Sequence, residues 1–122
     1  ELILQPQSDL HHFRHFLSEI GWEIVREEMI KEDGKFYPMM KAVRNNSGKK
    51  TVYTEEEAWF GPLLLEKRHP VLKEYLLREE MIRKKILAGL SGAESVSAKT
   101  RLAEVKEEME LIHTALKRYE SI

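Results

Sequence analysis

The sequence predicts an α+β chain in which a small sheet with one helix precedes an antiparallel helical hairpin. Two observations lead to this fold class. Up to residue 53, strand-like apolar runs and alternations flank a single stretch of helical spacing, and after Thr54 only helical spacing recurs. The composition, with 42% hydrophobic and 34% charged residues among 122, is that of a folded, charge-rich protein. We therefore expect a sheet-containing part over residues 1–53 and a helical part over residues 54–122.

The first part opens with a strand and a helix. Residues 2–4 are wholly apolar and end at Gln5-Pro6, a pattern typical of a buried parallel strand that stops at proline. Ser8 or Asp9 then caps a helix that ends before Gly21. The apolar positions of this helix predict one inward stripe made of Leu10, Phe13, Phe16, Leu17 and Ile20.

A β-hairpin is predicted next. Trp22 and Ile24 alternate with a polar residue, and a charged outer stretch then runs to Glu32. Asp33-Gly34 is the preferred pair for a type I′ turn, because both central positions of that turn need positive φ. Pro38 lies inside the returning strand and predicts a bulge or an unpaired register there, since proline has no N–H.

Three helices are predicted after residue 53. Thr54 and Glu57 form a capping box that starts a short helix ending at Gly61-Pro62. A second helix runs from Pro70 to the break at 89–92, and its predicted inward residues are Leu72, Tyr75, Leu76, Ile82 and Ile86. The third carries a heptad-like seam made of Leu102, Val105, Met109, Ile112, Leu116 and Tyr119. With a linker of roughly ten residues, these two long helices would pack as an antiparallel coiled-coil hairpin.

Motifs for catalysis or metal binding are scarce. Without cysteine there is no thiolate zinc site and no cysteine nucleophile, which fits a reducing compartment. The six glycines form no phosphate-binding pattern. His11 and His15 share a helix face at a spacing that chelates zinc, but no third ligand is near in sequence, so no metal site is predicted. The pair Glu27-Glu28 is interpreted as solvated, and His69 and His113 as surface or capping residues.

The charge pattern points to phosphate contacts. The formal net charge is −1, so there is no overall basic field. Residues 35–54, however, hold five basic residues and no acidic one, and candidate phosphate contacts there are Lys41, Arg44, Lys49 and Lys50. Aromatic residues do not interleave these cations, so base stacking is not indicated in this stretch.

An ordered set of segments carries a family resemblance. These segments are Leu2-Ile3-Leu4-Gln5-Pro6, the helix end at residues 21–25, the turn at residues 32–37, and Phe60-Gly61-Pro62 followed by Pro70. Together they resemble the C-terminal part of the TrmK-type bacterial tRNA adenine-N1 methyltransferases. The resemblance implies the last strands and helix of a seven-stranded, Rossmann-like class I methyltransferase sheet. Residues 2–4 would be its fifth strand, and the helical hairpin would be the family's own addition.

The resemblance also implies a function for the whole protein. It would be a cytoplasmic enzyme that uses S-adenosylmethionine to methylate N1 of an adenine in tRNA. No membrane span is predicted, because the longest apolar run, residues 63–65, is far shorter than the roughly 20 residues needed to cross a bilayer. Gln5 and Pro6 would border the target adenine. Because the chain opens inside a strand, we expect it to be a fragment that lacks the cofactor-binding and catalytic residues, and to be inactive alone. On the hairpin, the candidate tRNA contacts are Arg83, Lys84, Lys85, Lys99 and Arg101.

A rival interpretation belongs to another class of protein. The chain could be a stand-alone interaction or dimerisation module in which the three-heptad seam docks a partner helix. The apolar edge at residues 2–4 is open to pairing with another chain, so both interpretations allow a homodimer through the sheet edge or the hairpin. Salt-sensitive binding of tRNA separates the two interpretations.

Overall fold

A computed structural model describes residues 2–4 and 9–120 of the chain. The elements are β1 (Leu2–Leu4), α1 (Leu10–Glu19), β2 (Trp22–Glu32), β3 (Lys35–Arg44), α2 (Glu55–Phe60), α3 (Pro62–Glu66), α4 (Pro70–Leu90) and α5 (Val96–Lys117). The chain divides into two compact units, Glu1–Leu72 and Lys73–Ile122. Helices α2 and α3 thus fall in the first unit, whereas the change in composition after residue 53 predicts that they belong to the second part of the chain.

The three strands form one sheet in the order β1-β3-β2, with antiparallel pairing on both sides of β3. The prediction of a buried parallel strand at residues 2–4 is therefore wrong for the pairing that the structure describes. An apolar run is typical of a strand buried on both faces, but Ile3 here is 79% exposed. Because β1 and β2 both oppose β3, they run parallel to each other, and α1 connects them as a crossover helix.

The hairpin turn is confirmed, but the predicted bulge is misplaced. Asp33 and Gly34 have φ of 52° and 75°, as a type I′ turn requires. Pro38 pairs in register with Met29, and the register shift lies instead in β2 between Ile24 and Arg26. A proline fits an antiparallel ladder where its nitrogen faces away from the neighbouring strand, so its presence alone does not locate a bulge. The charged stretch before the turn is regular strand.

The predicted inward stripe of α1 is confirmed at Leu10, Phe13 and Leu17, which belong to or pack against the buried cluster, and is wrong at its other two members. Leu17 is buried, but Phe16 and Ile20 are 51% and 48% exposed. Arg14 and Ser18 take the inward positions, which keeps the helical spacing i, i+3, i+4 intact although two members of the face are polar. The buried cluster between α1, the sheet and α2 consists of Leu17, Ile24, Met40, Ala42, Tyr53 and Ala58.

The α2 start is confirmed as a capping box. The Thr54 hydroxyl accepts the Glu57 N–H at 3.1 Å, and the Glu57 carboxylate accepts the Thr54 N–H at 2.9 Å. The helix ends at Gly61, as predicted, but Pro62 immediately starts the short helix α3. Proline suits a first helical position because its missing N–H would have no partner there.

Replacing Thr54 by alanine removes the hydroxyl that caps α2. We expect the free energy of unfolding of the first unit to fall by about 1 kcal/mol. Urea titration followed by circular dichroism measures this loss. The variant Thr54→Asp keeps a side-chain acceptor and should stay close to the parent. Equal losses in both variants would show that the cap contributes nothing beyond its backbone geometry.

In the second unit, helices α4 and α5 contact each other in antiparallel order. Glu80 binds His113 at 2.9 Å and Arg83 binds Glu108 at 3.1 Å, so higher numbers on one helix meet lower numbers on the other. The connecting segment is only 91–95, shorter than predicted, because Ser95 already caps α5 by accepting the Ala98 N–H.

The long helices bury only part of their predicted seams. On α5, Val105, Met109 and Ile112 are buried, as predicted. On α4, Leu76 is buried but Ile82 is 39% exposed, so the prediction for Ile82 is wrong. The physical reason is that the middle of α4 turns its charged residues toward α5, and these charges find opposite charges there.

Candidate nucleic-acid interface

The first basic group, Lys41, Arg44, Lys49 and Lys50, lies on β3 and the loop after it. Lys41 is half-buried, whereas the other three are exposed. The Arg44 guanidinium lies 5.9 Å from the centre of the Trp22 ring, a cation–π distance. The Asn45 side chain donates to the Lys49 carbonyl at 2.9 Å and so holds the loop in a compact turn.

Arg44 and the loop after it lie at the amino-terminal edge of the sheet, whereas Lys41 lies further inside, opposite Ile3 and Arg26. Arg44 pairs with Trp22, the first residue of β2, and the Asn45 N–H donates to the Gly21 carbonyl at 2.7 Å. Ligands of α/β sheets bind at the opposite edge, where parallel strands end. Arg44, Lys49 and Lys50 therefore lie away from the edge at which β1 and β2 end.

The second basic group lies on the last turns of α4 and the first turns of α5. Lys84, Lys85, Lys99 and Arg101 are exposed. Arg83 differs, because its guanidinium is bound by Glu79 at 3.0 Å and by Glu108 at 3.1 Å and its side chain is only 14% exposed. Burial opposes the charge of Arg83, but these carboxylates outweigh it and raise its pKa. Its guanidinium is thus already occupied by two carboxylates.

The carboxyl-terminal edge of the sheet begins where β1 ends at Leu4. Gln5 and Pro6, predicted to border the target adenine, lie outside the described residues. Helix α1 starts at Leu10, shortly after this edge, and runs back toward the amino-terminal edge. The start of α1 therefore lies on the side of the sheet where ligands of this architecture bind.

The three histidines of α1, His11, His12 and His15, each contact another ring or a carboxylate. The His11 ring stacks on Trp59 of α2 with centroids 4.2 Å apart and 6° between planes, and His12 lies 4.0 Å from His11. His15 contacts Glu55 at 3.0 Å. No cluster of three or more metal-ligating side chains occurs within residues 2–4 and 9–120.

A buried ion pair, missed by sequence reasoning, connects α1 and β2 to the short helices α2 and α3. Arg14 and Glu27 are each 1% exposed, and their charged atoms lie 2.9 Å apart. Arg14 also donates to the Ala58 carbonyl at 2.7 Å, and Glu27 accepts the Leu63 N–H at 2.9 Å. The interpretation of Glu27 as a solvated carboxylate is therefore wrong. Both charges are satisfied internally, as burial demands.

Gly61 lies directly against this ion pair. A Cβ at this position would lie 2.5 Å from Glu27 Oε2 and 3.0 Å from Arg14 Nη2, and the backbone has φ +96°. Only glycine meets both conditions without displacement. The Gly-Pro pair marks a helix boundary in the sequence, but nothing in the sequence identifies the charged groups that Gly61 accommodates.

Glu28, the neighbour of Glu27, faces away from the core and binds two cationic or titratable groups. Lys67 and His69 each approach its carboxylate at 3.1 Å. The hydrogen bond from Lys67, opposed by partial desolvation, holds the pKa of Glu28 below its usual value. His69 also accepts the Val71 N–H through Nδ1 at 3.2 Å, which confirms its interpretation as a helix-capping residue.

The opposite ring nitrogen of His69 must carry the proton in this arrangement, since Nδ1 accepts a hydrogen bond. His113 is half-exposed and bound to Glu80, in agreement with its interpretation as a surface residue.

No helix within residues 2–4 and 9–120 is long and apolar enough to cross a membrane.

Comparison with known proteins places this arrangement in a family. A Mycoplasma pneumoniae candidate tRNA methyltransferase is 36% identical over 63 residues, which cover 52% of this chain and 29% of that protein. A solved structure from Listeria monocytogenes serotype 4b superposes with TM-score 0.85 at 26% identity, covering 93% of this chain and 50% of the Listeria chain.

Two further solved structures share the fold. The Bacillus subtilis M1A22 tRNA methyltransferase TrmK superposes with TM-score 0.79 at 24% identity, over 93% of this chain and 50% of that chain. A Streptococcus pneumoniae candidate tRNA (m1A22) methyltransferase in complex with S-adenosyl-L-methionine gives TM-score 0.73 at 23% identity, over 93% and 46% of the two chains. The chain thus spans about half the length of these solved relatives.

The family model for tRNA (adenine(22)-N(1))-methyltransferase, TrmK, matches residues 1–114. This match covers both compact units almost completely. The resemblance carried by the ordered segments of the sequence is confirmed. The chain belongs to the TrmK family of tRNA (adenine(22)-N(1))-methyltransferases.

Proposed function

We propose that this chain is the C-terminal portion of an S-adenosylmethionine-dependent tRNA adenine-N1 methyltransferase. The sheet topology carries the proposal. Two parallel strands joined by a crossover helix, with an antiparallel strand between them, form the end of a Rossmann-like sheet. Ile3 of β1 is 79% exposed, as expected of a strand that takes further neighbours from the part of the relatives that this chain does not span.

The cofactor assignment for the whole protein rests on relatives. The Streptococcus pneumoniae structure contains S-adenosyl-L-methionine, and its fold is shared over 93% of this chain. When bound, this cofactor supplies a methyl group on a sulfonium, which is transferred to the N1 lone pair of adenine while the sulfur keeps the electrons of the broken bond. The cofactor-binding and catalytic residues belong, in this proposal, to the half of the relatives outside the match. This chain would then contribute sheet stability and RNA contacts.

The two basic groups are the proposed RNA contacts. Exposed lysines and arginines bind phosphates through long-range attraction and the release of counterions. Lys84, Lys85 and Lys99 are exposed on one helical pair, which we propose to be the coiled-coil hairpin that holds tRNA. Lys49 and Lys50 would contact another part of the same RNA. Arg83 is the weakest candidate, because Glu79 and Glu108 already bind it.

Replacing Lys84, Lys85 and Lys99 together by glutamine should weaken tRNA binding and make it less dependent on salt. Each lost phosphate contact lowers the slope of log affinity against log salt by about 0.7 to 1. Gel shift with a tRNA transcript at several salt concentrations measures both effects. The variant Lys73→Gln, on an exposed position near the start of α4, is the matched control. An unchanged slope in the triple variant would remove the helical pair from the proposed interface.

A second function is favoured by exposed apolar residues. On α4, Leu77, Met81 and Ile82 are 46%, 58% and 39% exposed, a surface that suits a protein contact. The rival proposal is a dimerisation or interaction module that uses this helix or the β1 edge. Light scattering decides between them, because a dimer that fails to shift tRNA at low salt supports the module and contradicts an RNA role.

A further inference from the structure

We propose that the row of rings formed by His12, His11 and Trp59 is a platform on which an unpaired nucleobase of the RNA stacks. This inference rests on the proposed function and adds to it the class of group that is bound at the start of α1. The row joins two segments that are far apart in the sequence, and therefore no local pattern of aromatic residues predicts it.

The geometry of the row is that of a stack. His11 is parallel to Trp59 within 6° at 4.2 Å, and His12 continues the row at 4.0 Å from His11 with a tilt of 38°. His12 is exposed, so the row presents its outer ring to solvent. Nucleobases stack on such rings without regard to base identity, because every base has a π-face.

The row is fixed in place by its surroundings. Trp59 lies between the buried residues Ala58 and Phe60 on α2, which anchor its backbone. One helical turn along α1, His15 contacts Glu55 at 3.0 Å and bridges the same two helices. A platform that is rigid before binding loses little entropy when a ligand stacks on it.

The charges around the row favour a neutral aromatic ligand over a phosphate. Partial burial, followed by the proximity of His12, lowers the pKa of His11 and so favours its neutral form. The carboxylates of Asp9 and Glu55 also act on this site. Negative charge repels phosphate, whereas it leaves stacking of an uncharged base intact. The ligand class is therefore a base, and the row lies at the carboxyl-terminal edge of the sheet.

Fluorescence of Trp59 tests the platform directly. The Trp22→Phe background leaves Trp59 as the only tryptophan of the chain. Addition of single-stranded oligoadenylate should quench its emission, whereas an abasic oligonucleotide with the same number of phosphates should not. In the same background, His12→Ala should weaken oligoadenylate binding about five-fold or more. Phe16→Ala is the matched control, since Phe16 is an exposed aromatic residue of α1 that does not belong to the row.

The outcomes separate the platform from the wider proposal. Oligoadenylate that shifts the chain in a gel equally well with and without His12→Ala would overturn the platform and leave RNA binding in place. An equal loss in His12→Ala and Phe16→Ala would also overturn it. Absence of any shift, with either oligoadenylate or tRNA, would overturn the proposed RNA role together with the platform. Circular dichroism of each variant checks that the folded state is retained.

Discussion

Replacement of Gly61 by alanine is expected to lower the free energy of unfolding of the first unit by on the order of 3 kcal/mol or more. Two effects add at this position. The new Cβ would lie 2.5 Å from Glu27 Oε2 and must displace a buried, ion-paired carboxylate. The backbone would also have to keep φ +96° with a side chain attached. Urea titration of the variant, followed by circular dichroism, measures the loss.

Gly21→Ala is the matched control for this variant. Gly21 has φ +80° in the same unit, but a Cβ there meets nothing within 4 Å. Its substitution therefore measures backbone strain alone, which we expect to cost about 1 kcal/mol. The difference between the two variants isolates the crowding of the ion pair. Similar losses at Gly61 and Gly21 would contradict the packing described around Gly61.

Glu27→Ala is expected to have a comparable or larger effect, about 3 to 5 kcal/mol. The substitution leaves the buried Arg14 guanidinium without its carboxylate and also removes the acceptor of the Leu63 N–H. Glu28→Ala is the control, because the same residue type one position along is 39% exposed and its loss should cost about 1 kcal/mol or less. The two unfolding midpoints in urea give the comparison.

The double variant Arg14→Met with Glu27→Leu examines the origin of that cost. Replacing both charges by apolar groups removes the uncompensated guanidinium, so we expect the double variant to be more stable than Glu27→Ala alone. It should still fall below the parent, since the Ala58 carbonyl and the Leu63 N–H lose their side-chain partners. A double variant less stable than the single one would mean that volume, and not charge, dominates the site.

Local signals in the sequence predict the elements well. Asp33-Gly34 and the Thr54 capping box depend on residues next to each other in the chain, and both are present in the structure. The helix boundaries at Gly61-Pro62 and Pro70 follow for the same reason. The bulge predicted at Pro38 is wrong, because the effect of a proline depends on which side of the strand faces a neighbour, and sheet topology decides this.

Polar groups that are satisfied across the fold cannot be read from local sequence. Arg14 and Glu27 look like surface charges, and each becomes a core residue only because the other lies 2.9 Å away. The same holds for the stack of His11 on Trp59, whose rings come from different helices. Hydrophobicity correctly places Leu10, Phe13 and Leu17 on the inward side of α1. It fails for Phe16 and Ile20, because Arg14 and Ser18 are buried through polar partners instead.

The buried ion pair also bears on how the first unit folds. Its hydrogen bonds join residues that are 13, 36 and 44 positions apart in the chain. No single helix or hairpin can form this network, because it needs α1, β2 and residues 58–63 around Gly61 at the same time. Non-local closure of this kind slows folding. We therefore expect that a chain truncated before residue 63 cannot complete this network, which includes the Leu63 N–H.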